Sequence, residues 1–222
     1  MNQILNQLHE EKLISIIRGV SSKDISKAVE ALYEGGIHFV EVTFRPGDEQ
    51  ASNDTLLSIQ KLVKEFKNRM YIGAGTVLTP EQVTLVKKAG GMFIISPDTN
   101  VDVIKKTKEL GMLSIPGALT PSEAVTAWNA GADLVKIFPA GVMGPQYIKA
   151  IKASLSQLKI SAVGGVSEDN IPAFLDVGVD GFGIGSNLVN ADIVEKENWQ
   201  EITNHAKKYV KTLKEYYNSS NN

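Results

Sequence analysis

The first feature of this sequence that could do chemistry is a lysine set inside an apolar run. In LVKIF (Leu134 to Phe138), Lys136 alternates with Val135 and Ile137 and shares a face with Leu134 and Phe138. An ammonium on such a face is costly to bury unless it is paired or neutralised. A second polar intrusion is Glu41 in FVEVTF, where Glu41 and Thr43 share one face and Val40 and Val42 the other. Arg18 closes the apolar run LISIIR, and Arg45 follows FVEVTF. An edge lysine reaching to solvent, with Glu41 as its structural ion-pair partner, is the bland reading of these residues. The sharper reading is an imine-forming amine beside a carboxylate that moves protons. From an ordinary lysine pKa only about one amine in 2,500 is neutral at pH 7, so burial near a second cation is needed to make it a nucleophile.

Two glycine-rich stretches form the second group. VGGVSEDN (Val163 to Asn170) and GIGSNL (Gly183 to Leu188) offer Gly164, Gly165 and Ser186. Bare backbone N–H groups at such turns suit a phosphate, and tight turning alone is the alternative. His9, His38 and His205 are scattered without paired spacing, so no metal site and no cofactor are expected. Neither a Walker loop nor a Gly-x-Ser-x-Gly elbow occurs.

Positioning these residues requires strands that end at a common face. Runs of four to six apolar residues alternate with stretches of helical length, which is βα repetition. The predicted strands are Leu13 to Arg18, Phe39 to Thr43, Met70 to Ala74, Met92 to Ser96, Met112 to Pro116, Leu134 to Phe138, Lys159 to Val163 and Gly181 to Gly185. Eight units predict a single α/β domain over residues 1–222, a (β/α)₈ TIM barrel whose chemistry lies at the C-terminal ends of the strands. A doubly wound open sheet is the alternative, but its Gly-x-Gly-x-x-Gly turn after the first strand is missing. Thr79-Pro80, Thr120-Pro121 and Gly144-Pro145 mark helix starts. Gly91, Gly111 and Gly131 fit the left-handed position just past helix ends. Ahead of the first strand, Ile4, Leu5 and Leu8 make one face of an extra N-terminal helix, read as a plug in the barrel's N-terminal mouth or else a partner-binding helix. The terminal NSSNN reads as a frayed tail.

Composition narrows the partners. A net charge of −2 without basic clusters argues against nucleic acid and anionic membranes, leaving a small-molecule substrate. The absence of cysteine excludes disulfides, thiolate metal sites and a cysteine nucleophile. MNQILNQLHEEK lacks the basic and apolar regions of a signal peptide, so the expected compartment is the cytoplasm.

Taken together, IIRGV, GGIHFVEVTFR, IGAGTVLTPEQV, IISP, IPGALTPSE, VKIFPAG, GPQYIKA, VGGV and GIGSNLV resemble the bacterial 2-keto-3-deoxy-6-phosphogluconate and 4-hydroxy-2-oxoglutarate aldolases from about Leu13 to Leu188. The resemblance implies a metal-free class I aldolase with Lys136 as Schiff-base lysine and Glu41 as general acid/base. It implies that Arg45, Thr76 and Arg18 hold the substrate carboxylate and that Gly164, Gly165 and Ser186 cradle its phosphate. It implies cleavage of 2-keto-3-deoxy-6-phosphogluconate, 4-hydroxy-2-oxoglutarate or both to pyruvate and an aldehyde, glyceraldehyde 3-phosphate for the phosphorylated acid, with the galactonate epimer as the alternative substrate and a homotrimer as the implied assembly. Val163 resembles the branch acting on the galactonate epimer, whereas Thr43 and Arg45 resemble the gluconate branch. Asp98 stands where relatives often carry another residue and would weaken anion binding if it pointed inward. Two further readings compete. A phosphate-binding barrel isomerase would keep the glycine loops without needing Lys136, and a catalytically silent sugar-acid phosphate sensor would need neither Lys136 nor Glu41.

Overall fold

The computed structural model describes residues 2–220, with side chains from 3 to 219. Its elements run α1 (Asn2–Glu11), β1 (Leu13–Ile17), α2 (Ile25–Glu34), β2 (Phe39–Thr43), α3 (Glu49–Glu65), β3 (Tyr71–Gly75), α4 (Pro80–Lys88), β4 (Phe93–Ile95) and α5 (Val101–Glu109). They continue with β5 (Leu113–Ile115), β6 (Gly117–Ala118), α6 (Pro121–Asn129), β7 (Val135–Ile137), α7 (Ala140–Ser154), β8 (Ile160–Val163), α8 (Ile171–Asp176), β9 (Gly181–Ile184), α9 (Ala191–Glu195) and α10 (Trp199–Ser220). The ladder order is β5-β4-β3-β2-β1-β9-β8-β7-β6, and every pairing is parallel. Its two ends, β5 and β6, are consecutive pieces of one segment parted only by Pro116. Proline has no N–H to give a ladder, so the fifth barrel strand reads as two short pieces. The Pro116 carbonyl still accepts the Lys136 N–H at 2.8 Å. The sheet therefore closes on itself as the predicted TIM barrel, and the open doubly wound alternative is excluded.

Strand alternation sorts the side chains. Leu13, Ile17, Val40, Val42, Val135 and Ile137 face outward into the large core beneath the helices. Ile14, Phe39, Phe93, Ile95, Leu113, Ile115 and Leu134 form a separate inner cluster with Leu8 of α1, and Ile4 and Leu5 pack against it. The N-terminal helix is thus the expected plug. Burying a leucine such as Leu8 contributes roughly 1.5–3 kcal/mol, which explains why a ten-residue helix stays docked.

The predicted starts of α4 and α6 are capping boxes, Thr79 with Gln82 and Thr120 with Glu123. Gly144-Pro145 lies inside α7, where Gly144 (φ 74, ψ 166) breaks a first turn from the longer segment that Pro145 begins. Gly90, rather than Gly91, takes the left-handed conformation before β4. Gly91 is required for space instead, because a Cβ there would lie 2.4 Å from Val86. The expected frayed tail is corrected as well: α10 carries helix through Ser220, while Asn221 and Asn222 lie outside the described residues.

At the N-terminal end of the barrel, aspartates tie neighbouring strands together. Asp133, leading into β7, accepts the Ser114 N–H at 2.8 Å and pairs with Lys108 at 2.6 Å. Asp180, leading into β9, accepts the Ile160 N–H at 2.9 Å and pairs with Lys152 and Lys159. Burial works to raise the Asp180 pKa, but the Ile160 amide and the two ammonium groups outweigh it and hold the carboxyl below its usual value. Its stabilisation is present above the unfolded carboxyl's range and is lost as pH falls through the depressed folded value. Asp180→Asn is therefore expected to lower unfolding free energy by about 1–3 kcal/mol at pH 7, with the gap to the parent closing below about pH 4. Urea melts at both pH values check this, and a gap that persists in acid would contradict it.

Candidate active site

Glu41, Arg18, Thr76 and Lys136 meet at the opposite end of the barrel, around a cavity of 510 Å³. The loops after β4, β7, β8 and β9 complete its wall with Pro97, Phe138, Gly164, Gly165, Gly185, Ser186 and Asn187, together with Val163 of β8. The inward positions on the strands follow from the strand period, Ile16 on β1, Glu41 on β2, Lys136 on β7 and Val163 on β8, while Arg18 and Phe138 stand one residue past β1 and β7.

Glu41 is 2% exposed and its Oε2 has no hydrogen-bond partner. Burial pushes its carboxyl above the ordinary value, with Lys136 and Arg18 opposing. Lys136 is 7% exposed, and burial pushes its ammonium below the ordinary value, with Glu41 opposing and Arg18 adding to the fall. Its Nζ lies 5.3 Å from the Phe138 ring centroid. The second cation that a nucleophilic lysine needs is thus Arg18. Both titratable groups are held away from their solution behaviour mainly by desolvation, in a cleft, which is how acid/base and nucleophilic groups are poised.

Room for the carboxylate is made by Gly75. A Cβ at that position would lie 1.5 Å from Glu41 Oε1. Thr76, the next residue, adopts φ 57, a conformation uncommon for a β-branched residue, at the cavity wall.

The glycine pair is a nest of backbone. Gly164 (φ 84) and Gly165 (φ 76) take conformations that favour glycine, and the Gly164 carbonyl accepts the Gly141 N–H at 2.7 Å. A Cβ on Gly141 would lie 2.6 Å from the Gly165 carbonyl oxygen, so the first turn of α7 packs directly on the loop. Among the described residues, the N–H groups of Gly165, Val166 and Asn187 donate to no protein acceptor, and all three residues line the cavity. Free backbone amides along one cavity wall are suited to receive an anion.

Seven of the eight residues singled out from the sequence line this cavity. Arg45 does not. It is exposed, 3.7 Å from Asp48, and lines a neighbouring cavity of 260 Å³ with Thr43. Arg18 lines both cavities. Asp98 is exposed and lies outside the cavity wall, so the feared carboxylate does not face an anion there. Gly75, Gly141, Pro97, Phe138 and Asn187 were not foreseen. Among the described residues, no group of three or more His, Asp or Glu side chains is arranged to hold a metal ion.

The family model for KDPG and KHG aldolases matches residues 4–205. The chain belongs to this aldolase family. The aldolase is 40% identical over 181 residues to the 2-dehydro-3-deoxy-6-phosphogalactonate aldolase of Escherichia coli K12, covering 81% of this chain and 85% of that one. A solved native KDPGal structure superposes with a TM-score of 0.83 at 37% identity, over 93% and 96% of the two chains. A KDPG aldolase of Legionella pneumophila, solved with pyruvate captured as a covalent carbinolamine intermediate, gives 0.79 at 31% identity over 89% and 93%. As an aldolase the protein is a carbon–carbon lyase acting on a small molecule. No helix among the described residues is long and apolar enough to cross a membrane.

Proposed function

We propose that this aldolase cleaves a phosphorylated 2-oxo-3-deoxy sugar acid through a Schiff base on Lys136, with the galactonate epimer as its preferred substrate. The observation that carries the imine is a desolvated lysine with Arg18 beside it and Glu41 facing the same cavity. The neutral amine attacks C2 and, with a proton given by the Glu41 carboxyl, the carbonyl oxygen leaves as water, giving a cationic imine and an ionised Glu41. Glu41 takes the C4 hydroxyl proton, the C3–C4 bond breaks, and its electron pair flows to the imine nitrogen as the aldehyde departs. The same carboxyl returns a proton to C3 of the enamine, and water releases pyruvate. A carboxyl whose pKa is raised by burial suits this two-way traffic.

Arg18 and Thr76 hold the substrate carboxylate, and Arg45 in the adjoining cavity adds positive potential on the approach. Gly164, Gly165 and Ser186 receive the phosphate on free amides and a hydroxyl. Imine formation supplies the electron sink, so no metal or cofactor takes part. The galactonate preference rests on position: Val163, the galactonate-like residue, lines the catalytic cavity, whereas Thr43 lines the neighbouring one. The name of the Escherichia coli relative points the same way. The gluconate epimer is the second reading, supported by Thr43 and Arg45; both epimers release glyceraldehyde 3-phosphate, because C4 becomes the aldehyde carbon. A homotrimer, resting on the family resemblance, and a cytoplasmic location complete the proposal.

Incubation with pyruvate and borohydride is expected to convert one lysine to a stable secondary amine. Peptide mapping should find the adduct on Lys136, and labelling of Lys149 or Lys152 in its place would refute the assignment.

A further inference from the structure

The two glycine loops are held by three asparagines whose side chains accept or donate only to backbone. Asn170 Nδ2 donates to the Gly165 carbonyl at 2.9 Å, while its Oδ1 accepts the Ser167 N–H at 2.9 Å. Asn190 Nδ2 donates to the Ser186 carbonyl at 3.3 Å, while its Oδ1 accepts the Ile193 N–H at 3.0 Å. Asn187 Nδ2 crosses from the second loop to the first and donates to the Val166 carbonyl at 3.1 Å.

In a trans peptide the C=O and the following N–H point in opposite directions. Fixing a carbonyl therefore aims the amide that follows it. The Asn170 bond to Gly165 aims the Val166 N–H, the Asn190 bond to Ser186 aims the Asn187 N–H, and the Gly141 bond to Gly164 aims the Gly165 N–H. All three amides line the cavity and, among the described residues, donate to no protein acceptor. Asn170 and Asn190 each act within one loop, whereas Asn187 joins the two. Behind it stands Tyr209 of α10, 1% exposed, whose hydroxyl lies beside the side chains of Asn187 and Glu168 without a hydrogen bond of good geometry to either.

We propose that Asn187 is a positioning residue, a clasp that holds the Gly164–Ser167 loop and the Gly185–Asn190 loop at the spacing needed for one anion to receive amides from both. The proposal rests on the phosphate reading of this cradle and adds what keeps it assembled. Without the clasp each loop keeps its own asparagine but the distance between loops is no longer fixed. Binding of the phosphate end then suffers, while the imine end at Lys136 keeps its geometry.

Asn187→Ala tests this with two measurements. The KM for the phosphorylated sugar acid should rise about tenfold, the scale of losing one charge-assisted hydrogen bond, with a much smaller effect on kcat. The KM for unphosphorylated 4-hydroxy-2-oxoglutarate should stay close to that of the parent. Deuterium exchange by mass spectrometry should quicken in the 164–167 segment at the Ser167 amide, which donates to Asn170 Oδ1 at 2.9 Å and is aimed by the Val166 carbonyl that Asn187 holds. A raised KM with unchanged exchange there would make Asn187 a direct ligand and overturn the clasp, as would equal impairment of both substrates. If the parent itself does not distinguish phosphorylated from unphosphorylated substrate, the phosphate reading fails instead. The exchange measurement then decides the clasp alone: quickened 164–167 amides uphold it and unchanged ones refute it.

Discussion

Lys136→Met is expected to lower kcat on the order of 10⁴- to 10⁶-fold, the scale of removing a covalent nucleophile, while leaving the protein at least as stable as the parent at pH 7. Methionine nearly matches lysine in length and volume, so it fills the inward position on β7 without overpacking. The stability half of the expectation follows from the direction of the lysine's pKa. Burial first, and Arg18 with it, hold the ammonium below its ordinary value. A base with a lowered folded pKa destabilises the fold when charged; that cost is complete below the folded value and vanishes above the unfolded value near pH 10. The melting temperature of the variant should therefore equal or exceed the parent's at neutral pH, with the difference shrinking toward pH 10. Turnover within about tenfold of the parent, or a melting temperature lower by more than about 8 °C, would return Lys136 to a structural role.

Glu41→Gln is expected to lower kcat roughly 10²- to 10⁴-fold, the usual contribution of a general acid/base. The amide preserves size and cannot take the C4 proton. If Glu41 were chiefly an ion-pair partner of Lys136, its loss would destabilise the fold by about 3–5 kcal/mol. Its surroundings argue otherwise, since Oε2 has no partner and burial outweighs both nearby cations. A carboxyl with a raised folded pKa adds no cost below the unfolded value and its full cost above the folded one, so removing it should stabilise the protein at neutral pH and make no difference below about pH 4. Thermal melts across that range, run beside steady-state kinetics, separate the two roles. Normal turnover with a collapsed melting temperature would sink the catalytic one.

Most of the architecture was legible because barrel strands are short, apolar and regularly spaced. LVKIF and FVEVT stood out by breaking their own pattern, and a charge that breaks an apolar run has few reasons to be there. Pro116 was read as the end of a strand, whereas it divides one, since the ladder on either side of a proline depends on neighbours that a sequence does not display. Gly75 was seen only as part of GAGT, because the need for empty space beside Glu41 arises from β2 and β3 lying side by side. Asn170, Asn187 and Asn190 look like ordinary loop and cap residues one at a time. What distinguishes Asn187 is a partner twenty-one positions away. Arg45 lines the adjoining cavity, a placement that could not be read from the strand pattern because it stands two residues past the end of β2.

The aspartate ties and the α1 plug sit at one mouth of the barrel and the cavity at the other. Robustness and chemistry are thereby carried by different residues, so a change at one mouth leaves the other largely undisturbed. Under the function proposed above, substitutions around Val163 and Ser186 would redirect which substrate the cavity accepts without first being rescued by compensating changes in the core. Selection can then explore substrate range at one end of this chain while the other end conserves its foldability, which makes the barrel a permissive starting point for laboratory evolution.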